Sequence, residues 1–95
     1  MKVPKSLTVF GAKYSVTLRE LNENTMGLCD RVSRKIYINK DLKEDEIPET
    51  ILHEMFHGVF ERMCLGQIIS PEVEELFCEY FSKAVSENFK LVPKK

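Results

Sequence analysis

The pattern of apolar and polar positions along the chain changes near residue 42. Before this point, apolar residues come in short runs rich in β-branched and aromatic side chains, as is typical of strands. Gly11 lies between the first two runs and indicates a hairpin loop over residues 11–13. The predicted strands are 7–10, 14–18, 28–31 and 34–39. The N-terminal half is therefore expected to form a small antiparallel or mixed sheet of three or four strands.

After residue 42 the apolar positions recur with a helical period. The acidic segment 41–46 and the nearby Pro48 are typical of a helix start, because acidic side chains favour the positive end of the helix dipole and proline is tolerated in the first turn. The first helix is predicted over 45–65, and Gly66 is predicted to end it.

A second helix is predicted over 71–88. Ser70 is a favourable capping residue, and Pro71 suits the first helical position. Apolar residues then follow at intervals of three and four, which predicts one buried face. That face consists of Val73, Leu76, Phe77, Tyr80, Phe81, Ala84 and Val85. Residues 89–95, which include Pro93, are predicted to form a tail.

The order of these elements, strands first and then two long helices, predicts an α+β fold in which the helices pack on one face of the sheet. With 95 residues, the chain is expected to form a single domain over residues 1–95. A domain of this size builds one modest core.

The charge and the cysteines of the chain argue against several classes of function. The formal net charge is -1, so composition favours neither nucleic acid nor an anionic membrane as a partner. No apolar run approaches the ~20 residues of a membrane helix. No apolar segment follows Lys2 and Lys5, as a secretory signal would require. The three cysteines form no CxxC pair, which is typical of a reduced, cytoplasmic protein.

The segment that carries chemistry is His53-Glu54-x-x-His57, which contains the only two histidines of the chain. Two residues four apart lie on one face of a helix, one turn from each other, so both imidazoles can reach a single Zn²⁺. Glu54 is offset by about 100° around the helix axis. It can therefore reach a water beside the metal, as a general base does. The spacing predicts a zinc site within the first helix.

Catalytic zinc usually takes three protein ligands and keeps one position open. Because the chain has no third histidine, a carboxylate or a cysteine of the second helix is the expected third ligand. Glu74 lies at the edge of the predicted apolar face and is the best placed of the glutamates. Glu75, which is predicted to be solvated, and Glu79 remain alternatives.

The segments 50–57 and 70–77 together resemble the small zincin-type metallopeptidases of phages and bacterial mobile elements. These proteins are similar to the ImmA/IrrE family and to minimal gluzincins. The resemblance covers most of the chain and implies hydrolysis of a peptide bond in a peptide or protein substrate. It implies that His53, His57 and Glu74 bind zinc and that Glu54 is the general base. It also implies that the strand 34–39 lines the substrate cleft as an edge strand.

Two tyrosines are candidates for binding the substrate oxyanion, Tyr37 in the last predicted strand and Tyr80 in the second helix. A different class of function also fits the motif, a zinc-binding interaction module without activity that acts on a host or regulatory protein. Such a module would use zinc structurally and would close the fourth position, for which Cys78 is the best candidate.

Overall fold

A computed structural model describes residues 3–92 of the chain. Four strands are followed by two long helices, with a short 3₁₀ turn between the helices. The elements are β1 (Ser6–Val9), β2 (Ala12–Arg19), β3 (Gly27–Asp30), β4 (Lys35–Asn39), α1 (Glu46–Arg62), the 3₁₀ turn (Leu65–Gln67) and α2 (Pro71–Asn88). The predicted α+β fold is confirmed. Of the predicted tail, residues 93–95 lie outside the described residues.

The sheet is mixed, with the strand order β1-β2-β4-β3. The hairpins β1–β2 and β3–β4 are antiparallel, whereas the two central strands, β2 and β4, run parallel. Ser15 pairs with Lys35 and Arg19 with Asn39 along this parallel contact. β3 is consequently an outer strand, and β4 is an inner one.

The first hairpin turns more tightly than the sequence predicts. Val9 pairs with Ala12, so the loop consists of only Phe10 and Gly11. Both residues have positive φ angles, 48° and 82°, as a two-residue type I′ turn requires. Gly11 supplies this conformation without strain, and β2 begins immediately after it at Ala12.

The core lies between α1 and one face of the sheet. Inward-facing side chains of β2 and β4, among them Tyr14, Ile36 and Ile38, are fully buried there against Ile51 of α1. Alternation along β4 places Tyr37 on the opposite face, where Arg19 lies over its ring. The face of α1 that carries the histidines is turned toward α2 instead.

α1 ends three residues before the predicted boundary, and Gly66 is not what ends it. The chain takes a left-handed conformation at Cys64, with φ 55°, and enters the 3₁₀ turn. The amide of Met63 still donates to the carbonyl of Val59, as in a helix, whereas that of Cys64 donates to Glu61. Cys64 thus adopts the helix-ending conformation that the sequence analysis assigned to glycine.

α2 has the predicted bounds, and the hydroxyl of Ser70 accepts a hydrogen bond from the amide of Val73 as a cap. The prediction of its buried face was wrong. The buried residues of α2 are Glu74, Cys78 and Ser82. The predicted apolar face is largely exposed: Val73, Leu76, Phe77, Tyr80, Phe81 and Ala84.

The exposure of this face has a geometric cause. α2 packs on α1, and among the described elements it makes no comparable contact with the sheet, so the prediction that both helices pack on one face of the sheet was wrong for α2. One side of the apolar face is nevertheless used, because the rings of Phe77 and Phe81 contact Phe60 and Phe56 at 5.4 and 6.0 Å between centroids. Contacts between histidines of α1 and glutamates of α2 form another part of the contact.

No helix within residues 3–92 has the length and apolar character needed to cross a membrane.

The hydroxyl of Tyr14 leads to a prediction about stability. This side chain is fully buried, and its oxygen has no hydrogen-bond partner among residues 3–92. Burial also raises the pKa of the phenol. Because a buried polar group without a partner is costly, Tyr14→Phe is expected to raise the free energy of unfolding by about 1 kcal/mol. Urea denaturation monitored by circular dichroism measures the change.

Tyr80→Phe is the matched control for this substitution. Tyr80 is 63% exposed, so removal of its hydroxyl is expected to change the free energy of unfolding by less than about 0.5 kcal/mol. A loss of stability in Tyr14→Phe would show that the buried hydroxyl has a partner, such as an internal water molecule.

Candidate metal centre

The two histidines of the motif lie side by side between α1 and α2. His53 and His57 are one helical turn apart, and their ring centroids are separated by 5.0 Å. Both side chains are 14% exposed. Their rings are therefore accessible from solvent at one edge while the surrounding helices fix their orientation.

Glu75 of α2 connects the two rings. Its Oε1 lies 2.9 Å from Nε2 of His53, and its Oε2 lies 3.0 Å from Nε2 of His57. These three residues are the group whose donor atoms all lie within 4.8 Å of one another and that is suited to a metal ion. The Glu75 side chain is 60% exposed, so the group is open to solvent.

Two further glutamates contact the other nitrogen of each ring. Oε2 of Glu74 lies 2.6 Å from Nδ1 of His57, and Oε2 of Glu79 lies 3.5 Å from Nδ1 of His53. A carboxylate only accepts hydrogen bonds, so the contact with Glu74 favours the tautomer of His57 that carries its proton on Nδ1. In that tautomer the lone pair of Nε2 is free to bind a metal.

The three glutamates that the sequence left as candidates for the third ligand thus occupy different positions around the histidine rings. Glu75 lies at both Nε2 atoms, whereas Glu74, which the sequence favoured, lies behind His57 and is nearly buried. The helical position of Glu74 was estimated from an apolar face assumed to point at α1. Since α2 presents the Glu74–Cys78–Ser82 face instead, the next residue, Glu75, reaches the outer edge of both rings.

The spacing of the donor atoms is compatible with zinc. Four ligands at about 2.0–2.2 Å in a tetrahedral arrangement lie about 3.3 Å from one another. The two separations between nitrogen and oxygen, 2.9 and 3.0 Å, are slightly shorter than this value. The donor atoms would have to move apart by a few tenths of an ångström to admit the ion. Two imidazoles and one carboxylate also form one of the ligand sets typical of catalytic zinc.

Arg31 completes the arrangement around His57. It follows β3 and forms an ion pair with Glu74, while its Nη1 lies 3.5 Å from Glu61. The turn that carries it is ordered by Asp30, whose Oδ1 accepts hydrogen bonds from the amides of Val32 and Ser33. The hydrogen bond with Ser33 lowers the pKa of Asp30. Arg31 could not be recognised from the sequence, because its role depends on a contact with Glu74, 43 positions further along the chain.

Glu54 lies beside the two histidines and is only 7% exposed. Among residues 3–92 no side chain donates a hydrogen bond to its carboxylate. Burial raises the pKa of Glu54 to about 7; the neighbouring His53 acts in the opposite direction, and the charge of Glu75 adds to the increase. A carboxylate with a pKa near neutrality is suited to accept and release a proton.

β3 is the strand that lies next to the centre. A cavity on the His57 side is lined by residues 27–29 of β3, by Arg31 and by the histidine and glutamate side chains. The expectation that the strand 34–39 is the edge strand was wrong, because β4 lies between β2 and β3. Sequence order alone does not show that the last strand inserts into the middle of the sheet.

The remaining candidates lie away from the histidines. Tyr37 is on the opposite face of the sheet, in contact with Arg19. Tyr80 belongs to the exposed apolar face of α2. Cys78 is buried, but it does not belong to the group of donor atoms around the histidines. The structure therefore brings His53, His57 and Glu54 together with Glu74, Glu75 and Glu79 of α2, and it brings in neither tyrosine.

Comparison with models of protein families, with curated proteins and with solved structures finds no match to this chain.

The approach of β3 to Glu54 depends on Gly27. A Cβ atom at this position would lie 2.9 Å from Cγ2 of Thr50 and 3.2 Å from Oε2 of Glu54. Gly27→Ala is therefore expected to displace these side chains and to lower the free energy of unfolding by about 1–3 kcal/mol. Chemical denaturation of the purified variant measures the loss.

Gly66→Ala is the control for Gly27→Ala. A Cβ atom at Gly66 meets no atom within 4 Å, so this variant is expected to unfold like the original chain. If both variants have the same stability, the close contact between β3 and α1 does not exist in solution.

The three cysteines are expected to differ in reactivity. Burial raises the pKa of Cys29 to about 11 and that of Cys78 to about 12, with the charge of Glu54 contributing at Cys29. Because the thiolate is the reactive form, only about one in a thousand Cys29 thiols is reactive at pH 8. Iodoacetamide at pH 8 is expected to modify the exposed Cys64 and to leave the other two thiols unmodified while the protein is folded.

Mass spectrometry of the labelled protein counts the modified thiols. Labelling of Cys29 is expected to increase with pH toward 11, because the pKa lies above the usual value. Cys64→Ser is expected to abolish the rapid modification by iodoacetamide at pH 8. Rapid modification of two thiols at pH 8 would contradict the burial of Cys29 beside Glu54.

Proposed function

We propose that this protein is a zinc-dependent metallopeptidase in which His53, His57 and Glu75 bind the metal and Glu54 is the general base. The observation that carries the proposal is the position of Glu75. One of its oxygens lies next to Nε2 of His53, and the other lies next to Nε2 of His57. An accidental pair of helical histidines would not be expected to share one carboxylate in this way. The buried and unpartnered Glu54 beside them adds the proton acceptor that hydrolysis requires.

Each residue of the centre has a separate role in the proposed hydrolysis. When bound, zinc would supply Lewis acidity that polarises a carbonyl and lowers the pKa of water to about 7. Glu54 accepts the proton of the attacking water and returns it to the amine that leaves. Glu74 holds the proton on Nδ1 of His57, and Arg31 holds Glu74 in place. Positioning residues of this kind typically change metal affinity by 10–100-fold.

β3 offers a means of aligning a peptide substrate. The strand is at the edge of the sheet, and its residues 27–29 line the cavity beside Glu54 and the histidines. An extended peptide can add to such an edge through main-chain hydrogen bonds. The pairing would place a peptide bond of the substrate next to the centre.

The non-enzymatic alternative, a zinc-binding interaction module, rests on a closed site with four protein ligands. Cys78 was its candidate for the fourth position. Cys78 lies outside the donor group of His53, His57 and Glu75, so the residue on which that alternative relied is not at the centre. The exposure of Glu75 supports an open position at the metal instead.

The first test compares zinc affinity among glutamate variants of α2. Glu75→Ala removes a proposed ligand, so it is expected to weaken zinc binding by more than 100-fold. Glu74→Ala removes only the partner of Nδ1 and is expected to weaken binding by roughly 10–100-fold. Competition with a chromogenic chelator measures both constants.

Glu72→Ala is the matched control, since Glu72 is exposed on the same helix and contacts neither ring. Its zinc affinity is expected to equal that of the original chain. If Glu74→Ala weakens binding more than Glu75→Ala, Glu74 is the ligand. If all three variants bind zinc alike, the proposed centre is excluded.

The second test separates metal binding from catalysis. Glu54→Gln removes the base and leaves all three proposed ligands, so zinc should stay bound at one ion per chain. Peptide hydrolysis is expected to fall by about 10²–10⁴-fold, the usual contribution of general acid–base catalysis. Elemental analysis and cleavage of a mixed peptide library, followed by mass spectrometry, measure the two properties. Undiminished cleavage by this variant would exclude Glu54 as the base.

A further inference from the structure

A second cavity, on the His53 side of the centre, shares His53, Glu54 and Glu75 with the proposed centre and extends beyond them. Its volume is about 300 Å³, and it lies between the segment 24–27, the first half of α1 and the middle of α2. Its walls include Met26, Thr50 and four glutamates. The glutamates are Glu49, Glu54, Glu75 and Glu79.

The charge of this cavity has one sign. Four carboxylates line it, and its lining includes no lysine or arginine among the described residues. The nearest basic group that contacts one of them is Lys83, whose Nζ lies 3.7 Å from Oε1 of Glu79. Glu49 has no ion pair or side-chain hydrogen bond within residues 3–92. Glu54 and Glu75 serve the proposed centre, so Glu49 and Glu79 are the carboxylates that remain to favour a cation in this cavity.

The unpartnered carboxylate of Glu54 is an independent indication of a ligand. This side chain is more than nine-tenths buried and faces the cavity, yet nothing in the described part of the chain donates to it. Its oxygens are not among the fully buried atoms that lack a partner, so they are open to the cavity. Because a carboxylate has two oxygens, a donor in the cavity can contact one of them while the other remains available to water.

The shape and the walls of the cavity indicate which cation fits. A volume of about 300 Å³ is at the lower limit of small-molecule sites, so it suits one long side chain. Met26 and the methyl group of Thr50 offer apolar wall atoms, and Glu49 and Glu79 add carboxylates to the same lining. Lysine and arginine combine an aliphatic stem with a cationic head in the same way.

We propose that this cavity is a subsite that binds the cationic side chain, lysine or arginine, of a peptide substrate. The proposal rests on the proposed peptidase function and adds its selectivity. The cavity on the other side of the centre contains Arg31, so it does not favour a cation. The two sides of the centre thus differ in charge, and a basic residue is preferred on only one side of the bond that is cleaved.

The subsite is tested by binding, separately from turnover. The full chain, with and without one equivalent of zinc, is titrated with N-acetyl-lysine methylamide and with N-acetyl-norleucine methylamide, which has a similar stem without charge. Amide chemical shifts of residues 24–27 and 49–50 report the binding. The lysine probe is expected to shift these signals and to lose affinity in 1 M salt. The norleucine probe is expected to leave them unchanged.

Glu49→Gln is the variant that tests the charge of the subsite. It is expected to weaken binding of the lysine probe by about fivefold, as loss of a partly exposed ion pair would. Glu72→Gln, outside the cavity, is the control and should bind like the original chain. Equal binding of the two probes, or equal affinity of the two variants, overturns the proposal.

A comparison of peptides then distinguishes this proposal from the peptidase function. Lysine is scanned through an otherwise uncharged peptide, with norleucine at the same position as reference. Preferential cleavage with lysine on one side of the bond supports both proposals. Cleavage without preference overturns the subsite and leaves the function. Binding of the lysine probe without cleavage of any peptide supports the subsite as a binding site and overturns the function.

Discussion

The contact between the two helices depends on a polar arrangement in which two histidines of α1 meet three glutamates of α2. His53 and His57 each place one nitrogen at Glu75 and the other at a second carboxylate. Partly buried imidazoles and carboxylates are stable only when they are paired, so these contacts set the rotation of α2. The exposure of the apolar face of α2 follows from the same rotation.

The division of roles among the glutamates also follows from this arrangement. Helical geometry separates Glu74 and Glu75 by about 100°, so adjacent residues reach opposite sides of one imidazole ring. Glu79, four residues after Glu75, lies near the same edge of the helix and contacts His53. Arg31 then connects this helix pair to the sheet through its ion pair with Glu74. The sheet and both helices are needed for a single centre.

Local signals in the sequence were sufficient for the elements and for the motif, but not for the contacts between elements. The bounds of α2 were predicted because Ser70 and Pro71 act locally, and the turn at Gly11 was predicted for the same reason. Which glutamate lies close enough to be the third metal ligand depends, by contrast, on how α2 is rotated against α1. The spacing of the apolar residues predicted that Val73 and Phe77 face inward. In the structure, the buried residues of α2 are Glu74, Cys78 and Ser82 instead. The position of β3 at the edge depends likewise on a pairing between distant strands.

The parallel pairing of β2 with β4 has a consequence for how the chain reaches this structure. Both hairpins close over short loops and can form on the microsecond scale, but Ser15 must find Lys35 across the whole of β3 and its turns. Non-local pairing of this kind slows folding. Until it forms, the inner edges of both hairpins are exposed to other chains during synthesis. The contact between β2 and β4 at the centre of the sheet is then a point at which the folding chain is vulnerable to aggregation.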